Sequence, residues 1–399
     1  MPTLTLPSWL PRLDLADLVT SDLALRRLQT AYRERADPAR PLPAFGLTLV
    51  DGKRWAFGAG APAFEIVVRD ARGQAAIASL DEMRCCEAYM AGSIDIDGDL
   101  LALTGLRAIL GDARPLQLLW ARHLRARILG QVRSDVQGIA DHYDEDPDFY
   151  LLFLDPTRCY SHALFSRDDE PLEQAMRRKL DFALDAVDAR PGMRLLDIGA
   201  GWGAMTETAG KRGIDTTSLT ISRRSEAYVR DLITAQGLPA RVIREHLLEY
   251  RPDRPYDAIV NLGVSEHLPD YAATLACYER LLVPGGKIYL DACSSRVKHP
   301  FRSFMYRYIF PGNGTPVCVH EYLAEVARTR FEVEALHNDR HNYALTARRW
   351  AENLDRHADE ITRRWGLAWY RRFRLWLWGC VDVFSRDHYG AYRLVLRRK

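Results

Sequence analysis

The chain has 399 residues, of which 47% are hydrophobic and 27% are charged, and its formal net charge is +2. This composition is typical of a folded enzyme and excludes a disordered chain, while the length predicts two domains. The small net charge argues against a nucleic-acid-binding protein. Seven cysteines without a C-x-x-C spacing favour free thiols in a reducing cytoplasm, and we expect no metal site. The sequence shows neither a signal-peptide pattern nor an apolar run long enough to cross a bilayer, so we expect a cytoplasmic protein whose membrane contact is at most peripheral.

Residues 1–112 carry the pattern of a small α+β module. Residues 13–34 have helical spacing, and a second helix is predicted to begin with a capping box at Ser79–Glu82 and to end at Gly92. Short strands are predicted at residues 45–50, 55–57 and 64–69, with glycine turns between and after them at Asp51-Gly52, Gly58–Gly60 and Arg72-Gly73. The apolar faces of these strands suit either an ordinary core or a lipid-binding slot.

A basic segment follows at residues 113–140. Between Pro115 and Arg133 it has no acidic residue, and apolar residues recur at helical spacing beside arginines at positions 122, 125, 127 and 133. Such a helix can lie on an anionic membrane with its arginines against lipid headgroups. It can equally be a linker helix that packs between two domains and leaves its arginines in water.

The remaining residues, 141–399, are organised around the stretch Arg194–Gly203. Leu195, Leu196 and Ile198 form an apolar run typical of a buried parallel strand, and three glycines follow, where the backbone can approach a ligand closely. A helix predicted at residues 204–209 completes the strand, glycine turn and helix order of a nucleotide-binding unit. With the spacing D-x-G-x-G-x-G, the turn resembles motif I of S-adenosylmethionine-dependent methyltransferases more than a dinucleotide or Walker loop.

Strands and helices alternate through the rest of this domain. Strands are predicted at 194–198, 215–220, 256–262, 287–290 and 391–396, and helices at 180–187 and 271–282. The alternation predicts an α/β fold, a doubly wound Rossmann-like sheet with its ligand at the carboxyl ends of the strands, beside the smaller N-terminal module. Residues 347–386 hold five tryptophans among many arginines, a pattern that suits either core packing or contact with phosphate headgroups.

Blocks of sequence spread over nearly the whole chain agree with one family. They include Asp95–Asp99, Leu154-Asp-Pro156, Tyr160-Ser161, Lys179, Pro191–Gly199, Gly201–Gly203, Leu219–Ser222, Gly263, Glu266-His267, His337-Asn338 and Tyr343. On these residues the chain resembles cyclopropane-fatty-acyl-phospholipid synthases and their mycolic-acid methyltransferase relatives. The resemblance implies methyl transfer from S-adenosylmethionine to a carbon–carbon double bond of an unsaturated acyl lipid, gathered in part by the N-terminal module.

The same resemblance assigns residues to the methyl donor. They are Tyr160 and Ser161 at the methionine end, Asp197, Gly199 and Gly201 at the amino-acid and ribose part, Thr220 and Ser222 at the ribose, and Leu262 and Gly263 near the sulfonium. One departure lies at Glu245–Leu247, where the family commonly has an Asp-Tyr or Gly-Trp pair beside the adenine. The resemblance therefore leaves the adenine contact open.

The predicted catalytic residues depart further from the family pattern. Attack of an alkene on a sulfonium methyl leaves a carbocation that must lose a proton, so the site needs a base and cation-tolerant aromatic faces. In the family the base is a bicarbonate held by Cys, Glu, His, Ile and Tyr; the matching positions here are His162, Glu266, Asp291, Cys293 and Tyr343. Two carboxylates should weaken bicarbonate binding. We therefore hypothesise that His162 or Asp291 takes the proton, oriented by Glu266 and Tyr343.

The sequence thus predicts a C-methyltransferase that acts on an unsaturated, phospholipid-borne acyl chain at an anionic membrane surface. Loss of a proton from the transferred methyl would close a cyclopropane, whereas loss from a neighbouring carbon would give a methyl-branched or methylene-bearing chain. Two alternatives stay open, namely a methyltransferase of a soluble alkene, terpenoid or amine, and an inactive lipid-binding homologue. Neither the double-bond position nor the oligomeric state follows from the sequence, and a homodimer is compatible with it.

Overall fold

A computed structural model describes residues 19–35, 37, 41–143, 146–310 and 314–399. They form two compact units, the first reaching to Ala113 and including Thr362–Leu375, the second comprising Arg114–Ile361 and Trp376–Lys399. The predicted division differs, because it placed all of residues 141–399 in one domain and set 113–140 apart. Thr362–Leu375 belongs with the first unit because Arg371 donates hydrogen bonds to the carbonyl oxygens of Tyr89 and Ile94, at 2.7 and 3.0 Å.

The first unit is a four-stranded sheet covered by helices. Its elements are α1 (Ser21–Glu34), β1 (Phe45–Thr48), β2 (Arg54–Phe57), β3 (Phe64–Val68), α2 (Ala71–Ser79), α3 (Glu82–Met90), β4 (Ile94–Gly98) and α4 (Leu100–Leu103). The strand order is β2-β1-β3-β4, with β1 parallel to β3 and the other pairs antiparallel. Phe45 stacks between Phe57 and Phe64, with ring centroids 4.5 and 5.3 Å apart. The module's own side chains therefore fill the apolar faces as an ordinary core.

Two local predictions in this unit were wrong. Asp81, rather than Ser79, caps α3, because the Asp81 carboxylate accepts a hydrogen bond from the backbone N–H of Arg84 at 2.9 Å. The predicted turn at Gly73 is instead part of α2. A Cβ on Gly73 would lie 2.2 Å from the carbonyl oxygen of Ser93, so this glycine serves close packing of the helix against the chain.

The second unit contains the larger sheet. Its first elements are α5 (Pro115–Leu119), a π-helical turn at Trp120–Leu124, α6 (Arg125–Leu129), α7 (Gln131–Tyr143), α8 (Pro147–Phe153), α9 (Leu172–Ala186), β5 (Arg194–Ile198), α10 (Ala204–Lys211), β6 (Asp215–Thr220), α11 (Arg223–Gln236), β7 (Ala240–Arg244) and β8 (Tyr256–Leu262). The chain continues with α12 (Tyr271–Leu281), β9 (Leu282–Ser294), a π-helical turn at Met305–Ile309, α13 (Val319–Val326), β10 (Phe331–Asn338), α14 (Arg340–Arg356), α15 (Ala358–Trp365), α16 (Leu367–Ser385) and β11 (Gly390–Arg398).

The seven strands of this sheet follow the order β10-β11-β9-β8-β5-β6-β7. Strands β9, β8, β5, β6 and β7 run parallel to one another, and β11 is antiparallel to both of its neighbours, β10 and β9. The chain enters at β5 in the middle of the sheet, builds outward to β7, and returns to the other side at β8. The doubly wound fold is confirmed, and its topological switch point lies between β5 and β8, where such sheets bind ligands.

The described parts of the chain contain no helix both long and apolar enough to cross a membrane. Part of the predicted first helix, residues 13–18, lies outside those parts.

Candidate active site

The turn after β5 is shaped by its glycines. Gly199 has φ +87°, and a Cβ there would lie 2.3 Å from Cγ2 of Val264, so only glycine fits between the turn and the end of β8. Gly201 has φ +50°, and the nearest described atom to a Cβ built on it is the carbonyl oxygen of Gly199, at 3.9 Å. The turn is therefore packed on one side and open on the other.

A cavity lies on this open side, over the carboxyl ends of β5, β6 and β8. The residues assigned to the methyl donor all line it, namely Tyr160, Ser161, Asp197, Gly199, Gly201, Thr220, Ser222, Leu262 and Gly263. Residues from four separate segments of the sequence thus converge at the switch point. Their roles toward the donor remain predictions, but the fold brings all of them to one place.

Asp197 is a buried acidic residue in the wall of this cavity. Its side chain is 1% exposed, and the Thr206 hydroxyl donates a hydrogen bond to its Oδ2 atom at 3.4 Å. Burial raises the pKa of this carboxyl to about 7. A buried carboxylate at the end of a central strand is stabilised by a cationic partner. The ammonium and sulfonium groups of S-adenosylmethionine are of this kind, so the residues present fit that molecule.

The departure at Glu245–Leu247 also lies in the cavity wall. His246 is held there by two contacts: its Nδ1 atom accepts a hydrogen bond from the backbone N–H of Leu248 at 3.2 Å, and its Nε2 atom is 3.3 Å from Oδ2 of Asp135 on α7. Asp135 is 0% exposed, and its Oδ1 atom has no hydrogen-bond partner within the described ranges. Sequence reasoning missed Asp135, although it is the one acidic residue between positions 115 and 140.

Asp291, one of the predicted catalytic residues, is paired with a lysine. Its Oδ2 atom lies 3.1 Å from Nζ of Lys179, and both side chains are buried, at 1% and 0% exposure. Lys179 also donates hydrogen bonds to Ser161 and, at 3.4 Å, to Sγ of Cys159. Burial would lower the pKa of Lys179, but the charge of Asp291 holds it above its ordinary value. Asp291 therefore holds a lysine next to Ser161 through its Oδ2 atom, while its Oδ1 atom has no hydrogen-bond partner among the described residues.

The other predicted catalytic residues do gather in one cluster. Oε1 of Glu266 accepts a hydrogen bond from the backbone N–H of Cys293 at 2.6 Å, and its Oε2 atom is buried without a partner in the described structure. Burial raises the pKa of Glu266 to about 7. The Tyr343 ring lies 5.2 Å from the ring of His162, and burial holds the tyrosine pKa well above its ordinary value. We call His162, Glu266, Cys293 and Tyr343 the polar cluster.

A residue that sequence reasoning passed over completes this cluster. Oδ2 of Asp339, at the start of α14, lies 3.3 Å from Nε2 of His162, and Nη1 of Arg393 on β11 lies 3.2 Å from its Oδ1 atom. Asp339 directly follows the block His337-Asn338, which carried part of the family resemblance.

Aromatic side chains connect the cavity to the rest of the site. The ring of Tyr160 lies 5.4 Å from that of Trp350 and 6.1 Å from that of Trp376. Both tryptophans are buried, at 3% and 8% exposure, so these two of the C-terminal tryptophans pack inside the molecule. Their faces suit a transient positive charge near the cavity.

A doubly wound sheet with a glycine turn at its switch point, a buried acidic residue at the end of the central strand and a ligand cavity above them defines an S-adenosylmethionine-dependent methyltransferase. The family model described as mycolic acid cyclopropane synthetase matches residues 131–394, and the chain belongs to this family. S-Adenosylmethionine is its methyl donor.

The relatives agree with this assignment. Cyclopropane mycolic acid synthase 3 of Mycobacterium tuberculosis is 32% identical over 290 residues, which cover 67% of this chain and 99% of the relative. The solved structure of the cyclopropane synthase MmaA2 from the same organism superimposes with a TM-score of 0.62 at 30% identity, covering 66% of this chain and 98% of that one. The mycolic acid cyclopropane synthase CmaA1, solved in complex with SAH and CTAB, gives a TM-score of 0.61 at 27% identity, with coverage of 66% and 98%.

Proposed function

We propose that this enzyme methylates a carbon–carbon double bond of an unsaturated acyl chain while the chain is part of a phospholipid. The observation that carries the proposal is the continuity of Tyr160, Ser161 and His162: the first two line the donor cavity and the third belongs to the polar cluster. A methyl donor and a proton acceptor therefore share one segment. Relatives named as cyclopropane mycolic acid synthases, and a sphingolipid C9-methyltransferase of Candida albicans at 27% identity, support a lipid substrate.

The residues divide the chemistry between them. The donor supplies a methyl group, which forms a bond to one alkene carbon as its bond to sulfur breaks. Tyr160 and Trp350 present aromatic faces to the positive charge that is left on the acyl chain. His162 accepts the proton that the cation must lose, and Tyr343 and Glu266 orient the reacting chain beside it. A proton lost directly from the new methyl closes a cyclopropane, and one lost from a neighbouring chain carbon leaves a methyl-branched alkene. A methylene-bearing product requires that a hydride first moves to the cationic carbon from the methyl-bearing carbon, after which the methyl loses the proton.

His162 is preferred to Asp291 as the proton acceptor because Asp291 is paired with Lys179. In this proposal the enzyme works without bicarbonate. The deciding experiment supplies methyl-labelled S-adenosylmethionine and vesicles of unsaturated phospholipid in bicarbonate-free buffer, and identifies the labelled lipid by mass spectrometry and NMR. We expect label in the acyl chain of wild-type reactions and loss of labelling in His162→Ala.

Three results would contradict the proposal. Label in a small soluble alkene or amine but not in vesicles would favour the soluble-substrate alternative. Absence of S-adenosylmethionine binding in calorimetry would favour an inactive lipid-binding protein. Full activity of His162→Ala, or activity only after bicarbonate is added, would remove His162 as the proton acceptor.

A basic, apolar surface supports the membrane part of the proposal. Leu116, Trp120 and Ile128 in the segment from α5 to α6 are 79%, 44% and 65% exposed, and Leu124 lies between them at the same four-residue spacing. Arg127 is exposed beside them, and no acidic residue occurs from 115 to 134. Exposed apolar side chains with arginines and no opposing charge suit an anionic bilayer surface.

Co-sedimentation with phosphatidylglycerol and phosphatidylcholine vesicles tests this surface. We expect the full-length enzyme to prefer the anionic vesicles, and the double substitution Leu116→Ser and Ile128→Ser to weaken binding at least about tenfold, because each side chain loses about 1.5 kcal/mol or more of burial. The matched control is Val297→Ser, a residue that is 62% exposed elsewhere in the same unit. Equal weakening by the control, or unchanged binding of the double variant, would rule the surface out.

A further inference from the structure

We infer that Asp339 is a positioning residue that holds His162 in the one tautomer whose Nδ1 atom can accept a proton. The inference rests on the proposed function and deepens it, because it adds a second residue to the proton transfer and specifies the accepting atom. The sequence predicted a catalytic role for His162 but not for Asp339.

The first observation is the fixed direction of the hydrogen bond between the two side chains. An ionised carboxylate can only accept, so the Nε2 atom of His162, 3.3 Å from Oδ2 of Asp339, must carry the proton and donate it. Burial alone would raise the pKa of Asp339, but the hydrogen bond from His162 and the charge of Arg393 hold it below its ordinary value. Asp339 is therefore ionised at neutral pH, and the lone pair of a neutral His162 lies on Nδ1.

The second observation is the state of that Nδ1 atom. His162 is 0% exposed, and no described residue forms a hydrogen bond with its Nδ1 atom. Buried polar atoms nearly always have a partner, so a buried ring nitrogen without one needs an explanation. Tyr343, Glu266 and Cys293 are the other titratable groups of the polar cluster, and Oε2 of Glu266 is unpartnered in the same way. Two unsatisfied acceptors in one cluster fit a site where a substrate proton arrives.

The third observation is that hydrogen bonds hold both the backbone and the side chain of Asp339 in place. The backbone N–H of Asp339 donates to the carbonyl oxygen of Ala391 at 2.8 Å, and its carbonyl oxygen accepts from the N–H of Tyr343 at 2.9 Å. Besides Arg393, the side chain of Asn342 donates to Oδ1 of Asp339 at 3.2 Å. The partner strand β11 and helix α14 thus fix the carboxylate before any substrate binds, as preorganised catalysis requires.

In the proposed step, His162 takes a proton from the cationic acyl chain. The C–H bond of the cationic chain breaks, its electron pair closes the ring or forms the new double bond, and the proton passes to Nδ1 of His162. The imidazolium that forms is stabilised by the negative charge of Asp339, whose own charge is shared with Arg393. The proton then leaves to solvent, and the histidine returns to its starting tautomer.

The test is Asp339→Asn in the full-length enzyme, assayed with methyl-labelled S-adenosylmethionine and unsaturated phosphatidylglycerol vesicles across a pH series. An asparagine no longer enforces the tautomer or stabilises the imidazolium, so we expect kcat to fall about 100-fold. The acidic limb of the kcat profile should move to lower pH, because the histidine has lost a neighbouring anion. Binding of S-adenosylhomocysteine, measured by calorimetry, should not change, and Asp339→Glu should recover part of the rate.

The control is Asp168→Asn, which removes the carboxylate from an exposed histidine–aspartate pair in which Nε2 of His341 lies 2.8 Å from Asp168. We expect it to change neither the rate nor the pH profile. An Asp339→Asn enzyme with the wild-type rate and profile would overturn the inference while lipid labelling by the wild type upheld the proposed function. If the asparagine variant does not fold, an Asp339→Glu enzyme that is no faster than His162→Gln would overturn it. Wild-type enzyme that labels no lipid would refute the proposed function and the inference together.

Discussion

Alanine substitutions at three glycines around β5 should distinguish the effects of backbone strain, of packing and of space for the ligand. Gly192, Gly199 and Gly201 all have positive φ, at +82°, +87° and +50°, so alanine at any of them is strained by about 1–2 kcal/mol. Alanine also lowers the conformational entropy of the unfolded chain, which offsets about 0.4–1 kcal/mol of this strain. The space around an added methyl group differs between these positions. A Cβ added to Gly192 would have no described atom within 4 Å, whereas one added to Gly199 would lie 2.3 Å from Cγ2 of Val264.

The expected free energies follow from these surroundings. Gly192→Ala and Gly201→Ala should each lower the free energy of unfolding by about 1 kcal/mol, the net of strain and chain entropy. Gly199→Ala should lower it by about 2–4 kcal/mol, since Val264 must move to admit the methyl group and overpacking costs about 1–3 kcal/mol more. Ligand binding should follow another order. The methyl of Gly201→Ala points into the donor cavity, so S-adenosylhomocysteine should bind at least about tenfold more weakly than to Gly192→Ala.

Urea unfolding of the ligand-free enzymes and calorimetric titration with S-adenosylhomocysteine measure the two quantities separately. Gly192→Ala serves as the control for strain without contact. If Gly201→Ala bound the ligand as tightly as Gly192→Ala, the cavity beside the turn would not be the donor site. If Gly199→Ala were no less stable than Gly192→Ala, the contact with Val264 would not be what requires glycine there.

Three further predictions concern buried charges. Because the pKa of Asp197 is raised to about 7, its carboxylate forms as the pH rises from 6 to 8, and calorimetry should show affinity for the ammonium-bearing S-adenosylhomocysteine increasing about tenfold over that range; in Asp197→Asn this pH dependence should vanish. Lys179→Met should cost about 3–5 kcal/mol in urea unfolding because it leaves Asp291 buried and unpaired, and Lys179→Met combined with Asp291→Leu should recover most of that loss. The Oδ1 atom of Asp135, which has no hydrogen-bond partner in the described structure, should accept a hydrogen bond from the adenine amino group. S-Inosylhomocysteine lacks that donor and should therefore bind more weakly than S-adenosylhomocysteine. Asp135→Asn should reduce this difference in affinity between the two ligands.

The sequence revealed those parts of the fold whose signal is local. The central strands β5, β6 and β8 were predicted with the bounds that the structure shows. Strands β5 and β8 contain apolar runs followed by turn residues, as buried parallel strands do. Strands β4, β7 and β10 were missed. All three lie at sheet edges with most of their residues partly or fully exposed, so they lack the apolar run that identifies a buried strand.

In the candidate site, too, the sequence revealed features formed by neighbouring residues and missed contacts between distant ones. The glycine turn could be read from the sequence because its residues are adjacent and its chemistry requires glycine. The pairs His162–Asp339 and Asp135–His246 could not, since 177 and 111 residues separate their members. Spacing along the chain says nothing about which of many acidic residues reaches a given histidine. The sequence therefore predicted His162 as a candidate catalytic residue but missed Asp339 and Asp135, which contact His162 and His246 in the structure.

The structure also changes the electrostatic argument against bicarbonate. The sequence suggested that Glu266 and Asp291 would repel an anion together, but Lys179 neutralises Asp291, and the pKa of Glu266 is raised mainly by burial, with the charge of Asp291 a smaller cause. Glu266 is thus a neutral acid below about pH 7 and a carboxylate above it. An anion in the cluster would be bound less well as the pH rises, because it would meet that carboxylate. A reaction that depends on a bound anion should therefore slow on the alkaline side of neutrality. The polar cluster, whose one potential cation is His162 itself, favours a side-chain base over a bound anion.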